Sequence, residues 1–213
     1  MTRIKICGIT SVDDAARAVD AGADAIGLIF WPGSLRVVEV ATAQAIVRAL
    51  PAFVWPVGVF VDATPEQVRG VADAVGLSAV QLHGDEQVPD WRHFPRPVLK
   101  ALPIERYAAS PWKSARAAIL IDAMDASTRG GSGRTVDWTA ARDIAVTRPL
   151  VLAGGLTPDN VAAAIACVRP WGVDVASGVE RSPGVKDDGK VRAFVQAVRG
   201  AARETTERQE RGA

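Results

Sequence analysis

An α/β fold of eight strand–helix units, closed into one barrel, is what this sequence predicts. The first observation is a regular alternation. Apolar, strand-like runs stand at Ile4–Cys7, Ala25–Phe30, Val57–Val61, Ala79–Leu82, Val98–Ala101, Ala117–Ile121, Leu150–Leu152 and Val173–Ala176. Most are continuously apolar and rich in Val and Ile, as expected of parallel strands covered on both faces. The second is what lies between them. Val12–Ala21 has apolar residues at helical spacing, and Thr42–Leu50 is stopped by Pro51. Thr64-Pro65-Glu66-Gln67 reads as an N-cap, a proline at the first helical position and a glutamine at the third, and Thr157-Pro158-Asp159-Asn160 is expected to open a helix in the same way. Asp137-Trp138 marks a further helix start, and Asp187–Arg199 reads as the last helix. The third is the period: eight units in 213 residues is about 27 each, the size a parallel crossover needs. Such units close most economically into a single (β/α)8 TIM barrel over residues 1–200, with 201–213 as a polar tail, either a helix extension or a frayed terminus; a doubly wound open sheet is the second choice.

Composition narrows the function. The chain is 48% hydrophobic and 23% charged, enough for one sizeable core. A net charge of +1 gives no electrostatic footprint for nucleic acid or an anionic membrane. Cys7 and Cys167 are far apart and read neither as a disulfide framework nor as a metal cluster, which suits a reducing cytoplasm. There is no basic-then-apolar leader and no run long enough to span a bilayer. With only His83 and His93 present, no metal site is expected.

Barrel active sites gather at the carboxyl ends of the strands, so those ends supply the candidates. Cys7 and Gly8 end the first strand; free cysteines are often plain small apolar groups, so position alone does not decide for chemistry. Trp31-Pro32-Gly33-Ser34-Leu35-Arg36 follows the second strand, Gln81-Leu82-His83 ends the fourth, and Asp122 ends the sixth. Gly154-Gly155 ends the seventh strand, and Asp174 to Gly178, with Ser177, ends the eighth. Glycines after strands 7 and 8 suit a phosphate held by backbone amides. Neither site has the spacing of a nucleotide loop, so a phosphosugar is the expected ligand. Asp122 at an apolar strand end would hold a proton if partly buried, and a thiolate across the pocket from a carboxylic acid suits proton transfer at carbon.

In this order the blocks Lys5-Ile6-Cys7-Gly8-Ile9-Thr10, Gly22-Ala23-Asp24-Ala25-Ile26-Gly27, Val57-Gly58-Val59-Phe60-Val61, Val80-Gln81-Leu82-His83-Gly84-Asp85-Glu86, Leu120-Ile121-Asp122, Gly130-Gly131-Ser132-Gly133, Leu152-Ala153-Gly154-Gly155-Leu156 and Asp174–Val185 resemble the phosphoribosylanthranilate isomerase family of tryptophan biosynthesis. The resemblance covers nearly the whole chain. It implies an Amadori rearrangement of N-(5-phosphoribosyl)anthranilate to 1-(2-carboxyphenylamino)-1-deoxyribulose 5-phosphate, without a cofactor. It implies Cys7 as general base and Asp122 as general acid. Arg36 becomes the expected holder of the anthranilate carboxylate, Asp174 a substrate contact, and His83 a pocket residue that does not titrate in the reaction. Gly131, Ser132, Gly133, Gly154, Gly155, Ser177 and Gly178 become the expected phosphate contacts. Two departures from the family's pattern stand out: Trp55-Pro56 before Val57, and Leu35 between Ser34 and Arg36.

Three other readings remain open at this level. A histidine-pathway aldose–ketose isomerase on the same barrel would be expected to carry aspartate where Cys7 stands. A dual-substrate isomerase would need contacts for a much larger ligand. A barrel that had lost catalysis would lack the acid or the base. A last expectation concerns the stretch Ala123 to Val136, long for a barrel connection of ~2–6 residues. Its Gly130, Gly131 and Gly133 suit hinges, and Arg129 and Arg134 suit an anionic ligand, so it reads as a lid.

Overall fold

Side chains alternate across a strand, and the alternation sorts this chain into two cores. In β1 (Arg3–Cys7), Ile4 and Ile6 enter the main hydrophobic cluster between sheet and helices, while Lys5 and Cys7 take the other face. The computed structural model describes residues 1–122 and 136–211, and for 202–211 only the helical backbone. β2 (Ala25–Ile29), β3 (Trp55–Phe60), β4 (Ala79–Leu82), β5 (Val98–Pro103), β6 (Ala118–Asp122), β7 (Leu150–Leu152) and β8 (Gly172–Val175) follow, and all eight pair in parallel in chain order. β8 returns to β1 and closes the barrel, with Lys5 opposite Asp174. Inside, Ala101, Leu120, Val151 and Ala153 form a small apolar cluster. Lys5, Gln81 and Asp174 are buried in the same interior, so the barrel is filled by two chemistries.

Helices form the outer ring: α1 (Val12–Ala21), α2 (Val40–Ala49), α3 (Pro65–Val75), α4 (Val88–Trp91), α5 (Ile104–Tyr107), α6 (Trp138–Thr147), α7 (Val161–Val168) and α8 (Asp188–Arg211). Local chemistry sets several ends. The Ser11 hydroxyl accepts from the Asp14 amide to start α1, and Gly22 stops it in the left-handed region at φ 104°. α3 carries the expected capping box of Thr64 and Gln67 with Pro65 at its first position. The Asp137 carboxylate accepts from the amides of Thr139 and Ala140 and starts α6.

Two local expectations are corrected, and two further features stand beside them. Thr157-Pro158 does not open α7. The Asn160 side chain turns back, accepting from the Thr157 amide at 2.8 Å and donating to the Gly155 carbonyl at 2.9 Å, and the helix begins at Val161. That turn fixes the glycine pair after β7. The fourth and fifth units have only single-turn helices, α4 and α5; in the fourth, Pro95 and Pro97 follow α4 closely and prevent its extension. α8 runs on past Arg199 as the helix extension that is one of the two readings of the tail, and the Arg199 guanidinium donates to the Thr2 and Gly22 carbonyls and to Asp24. Finally, a 3-10 turn (Ser177–Val179) leads into an antiparallel hairpin, β9 (Glu180–Ser182) with β10 (Val185–Lys186), that the apolar pattern does not announce.

Candidate active site

At the carboxyl ends of the strands a cavity of about 480 Å³ is lined by Cys7, Arg36, His83, Asp122, Gly154, Gly155, Asp174, Ser177 and Gly178. Every candidate among the described residues is therefore brought to one place. Gly131, Ser132, Gly133, Arg129, Arg134 and the expected lid lie outside the described residues. A larger cavity of about 590 Å³ sits beside it, under the loops after β4 and β5, but its lining holds neither Cys7 nor Asp122. Its floor is the buried pair of Lys100 and Glu86, 2.7 Å apart, with Trp112 donating to the Glu86 carbonyl. That pair ties β4's loop to β5 and explains two buried charges structurally.

Cys7 is buried at the end of β1. Burial pushes its thiol above the ordinary value of 9.0, and the Lys5 ammonium opposes that push. Lys5 itself is buried and donates to Asp174 at 2.9 Å. Burial disfavours its charge, but Asp174 and then Cys7 outweigh burial and hold it above the usual lysine range. Asp122, at the end of β6, faces His83 with 3.5 Å between Oδ2 and Nε2. Gln81, two residues before His83 and on the same strand face, places its Nε2 3.0 Å from His83 Nδ1. If Gln81 donates there, the imidazole proton sits on Nε2 and points toward Asp122. His83 Nε2 and Gln81 Oε1 make no hydrogen bond to the described residues.

Arg36 is held from behind. Its Nε donates to Glu180 at 2.9 and 3.2 Å and its Nη2 at 2.8 Å. Its amide donates to the Ser34 hydroxyl at 3.1 Å. Gly8, at φ 72°, lets the arginine chain lie across it, since a Cβ there would meet Arg36 Cδ at 2.7 Å. Nη1 makes no hydrogen bond to the described residues, so one edge of the fork stays open to the cavity. Glu180 is in turn gripped by Lys186 at 2.8 Å, and Lys186 also donates to the carbonyls of Cys7 and Ala176. Burial alone would raise Glu180, but Arg36 and Lys186 hold it below the usual carboxylate range. On Lys186 burial prevails over Glu180 and lowers the ammonium.

The two glycine sites are built for close approach. Gly154 and Gly155 have φ of 82° and 63°, which side-chain-bearing residues adopt rarely. A Cβ on Gly178 would collide with the Leu156 carbonyl oxygen, so the loops after β7 and β8 touch there.

Lys5, Gln81, Glu180 and Lys186 are site residues the sequence reading gave no role. Lys5 and Gln81 carried a signal: a charged or amide side chain in a buried strand needs a partner. Glu180 and Lys186 carried none, because Arg36 and the Cys7 carbonyl, which they bind besides each other, are 144 and 179 residues away.

A thiol, a carboxyl and a fixed guanidinium thus share one cavity at the mouth of a (β/α)8 barrel. Among the described residues no group of side chains could hold a metal ion. Comparison with known proteins gives the family. The family model for N-(5'phosphoribosyl)anthranilate (PRA) isomerase matches residues 4–197, and the chain belongs to this family. An N-(5'-phosphoribosyl)anthranilate isomerase of Pseudomonas fluorescens is 49% identical over 92% of this chain and 95% of its own length. One from Pseudomonas aeruginosa is 49% identical over 96% and 98%. The crystal structure of phosphoribosyl anthranilate isomerase from Thermotoga maritima superposes with a TM-score of 0.87 at 42% identity, covering 94% of this chain and 100% of its own. A structure of the enzyme in complex with reduced 1-(o-carboxyphenylamino)-1-deoxyribulose 5-phosphate superposes at 0.83 with 42% identity, again over 94% and 100%.

Proposed function

We propose that this chain isomerises N-(5-phosphoribosyl)anthranilate to 1-(2-carboxyphenylamino)-1-deoxyribulose 5-phosphate, the third step of tryptophan biosynthesis from chorismate, with Cys7 as base and Asp122 as acid. The carrying observation is that a thiol from β1 and a carboxyl from β6 line one cavity together with the open edge of Arg36. Asp122 gives its proton to the furanose ring oxygen as the bond from that oxygen to the first sugar carbon breaks. The nitrogen lone pair forms the iminium. That cation acidifies the hydrogen on the second carbon, and the Cys7 thiolate takes it as the electrons move to nitrogen. The resulting enolamine tautomerises to the ketone. The iminium is itself the electron sink, so the chemistry calls on no cofactor.

The substrate's two anionic ends have matching places. Arg36 binds the anthranilate carboxylate through its open edge, and Trp31, which lines the same cavity, supplies an apolar wall for the ring. Gly154, Gly155, Ser177 and Gly178 cradle the phosphate, with Gly131, Ser132 and Gly133 as further contacts. Asp174 and His83 line the sugar. The catalytic unit is residues 1–200, supported by a family match that ends at residue 197. No helix among the described residues is long and apolar enough to cross a membrane, and we assign the chain to the cytoplasm.

The test is loss of anthranilate fluorescence as substrate is consumed, in wild type, Cys7→Ser and Asp122→Asn. Each variant should fold and lose about 10²–10⁴-fold in turnover, the usual contribution of a positioned acid or base. Near wild-type turnover in either variant removes that residue from the mechanism, and an inactive wild type overturns the assignment.

A further inference from the structure

We propose that Lys5 is a positioning residue for this reaction: its ammonium, clamped by Asp174, converges with the Cys7 sulfur over Gly27 and offsets the cost of forming the thiolate that abstracts the proton. The inference rests on the reading of Cys7 as the base.

The geometry is set by β1 and its two neighbours. Lys5 and Cys7 are two residues apart and share the interior face. Gly27 is the β2 partner of Cys7. A Cβ on Gly27 would stand 2.7 Å from Cys7 Sγ and 2.9 Å from Lys5 Nζ, so ammonium and sulfur converge over this one glycine. On the other side β8 places Asp174 opposite Lys5 in register, and the two side chains pair at 2.9 Å while only 7% and 8% exposed. An ammonium has three donors, and Asp174 occupies one.

The other two cations near Cys7 share one carboxylate. Lys186 reaches the Cys7 carbonyl from β10, and Arg36 comes from the loop after β2. Both are paired with Glu180. β2 offers only Gly27 at this point. Asp174 opposes the thiolate but is the group that keeps Lys5 charged. Of the influences that favour the thiolate against burial, Lys5 is the largest. A purely structural pair here could be replaced by apolar side chains with little loss; a cation that serves the thiolate could not.

The experiment is the pH dependence of Cys7 alkylation by iodoacetamide, read by mass spectrometry of the Cys7 peptide so that Cys167 does not contribute. It compares wild type, Lys5→Met and the double variant Lys5→Met/Asp174→Asn. The double variant removes the pair whole and strands no buried charge. In both, the pH of half-maximal rate should rise, most in the single variant, where Asp174 stays unpaired. The rate at pH 7 should fall about tenfold or more. Altered access would change the plateau and not the midpoint. A folded variant of either kind with the wild-type midpoint overturns the proposal. A turnover-competent Cys7→Ser would instead overturn Cys7 as base and leave the Lys5–thiolate measurement standing.

Discussion

Arg36 enters the cavity with the Nε edge of its guanidinium already bound to Glu180. That arrangement fixes where the free edge faces, so a carboxylate that binds there meets a rigid partner. Arg36→Met should weaken substrate binding by about 1.5–3 kcal/mol, the range for a hydrogen bond to a charged group, read as a higher KM. Inorganic phosphate should still compete as in wild type. An unchanged KM would make Arg36 a structural partner of Glu180 only. The thiol makes a second prediction. Burial holds Cys7 above 9.0, so the thiolate fraction of the free enzyme grows with pH through the neutral range. Since kcat/KM reports the free enzyme, it should climb between pH 6 and pH 8. A flat profile over that interval would count against a thiolate base.

The element that most affects the site is the β9–β10 hairpin. Through Glu180 and Lys186 it ties the loop after β2 to the end of β1. Glu180 is depressed below its ordinary 4.5, so its contribution to stability is complete above pH 4.5 and disappears as pH falls through the lower folded value. Glu180→Gln should cost about 3–5 kcal/mol at pH 7, because the buried Lys186 and the partly buried Arg36 lose their shared partner. The gap from wild type should narrow toward pH 3, which thermal melting at both pH values would show. A constant gap would mean that the carboxylate charge is not what the hairpin uses. The loops after β7 and β8 carry a further prediction. Gly178→Ala pushes against the Leu156 carbonyl, so free phosphate should no longer inhibit competitively while Cys7 still alkylates. Phosphate inhibition equal to wild type would move the anion elsewhere.

For the molecule as a whole, the last described anchors of α8 on the barrel are Arg199, on Thr2, Gly22 and Asp24, and Ala201, against the core. A chain ending at Ala201 should therefore melt within a few degrees of the full chain and keep its turnover. A large drop in melting temperature would give residues 202–213 a structural role that the family match, ending at 197, does not suggest.

Barrel class, strand order and the candidate cluster were legible because they follow from short-range patterns. Short apolar runs rich in Val and Ile favour buried strands, Thr64-Pro65 with Gln67 favours a helix start, and the chain order of such units dictates where their carboxyl ends gather. Cys7, Asp122 and Asp174 could therefore be placed at one mouth from their positions alone. What the tertiary structure decided is which groups pair. Lys5 with Asp174 depends on the register by which β8 closes on β1, and Arg36 with Glu180 on how a hairpin folds back after β8. Neither has a local signature, because burying a charge beside a partner more than a hundred residues away stabilises the closed barrel and nothing shorter. The start of α7 was misread for the same reason in reverse. Thr157-Pro158 has the look of a helix cap, but Asn160 bonds back to Gly155 and Thr157, and the tight glycine turn at the cavity prevails over the local preference.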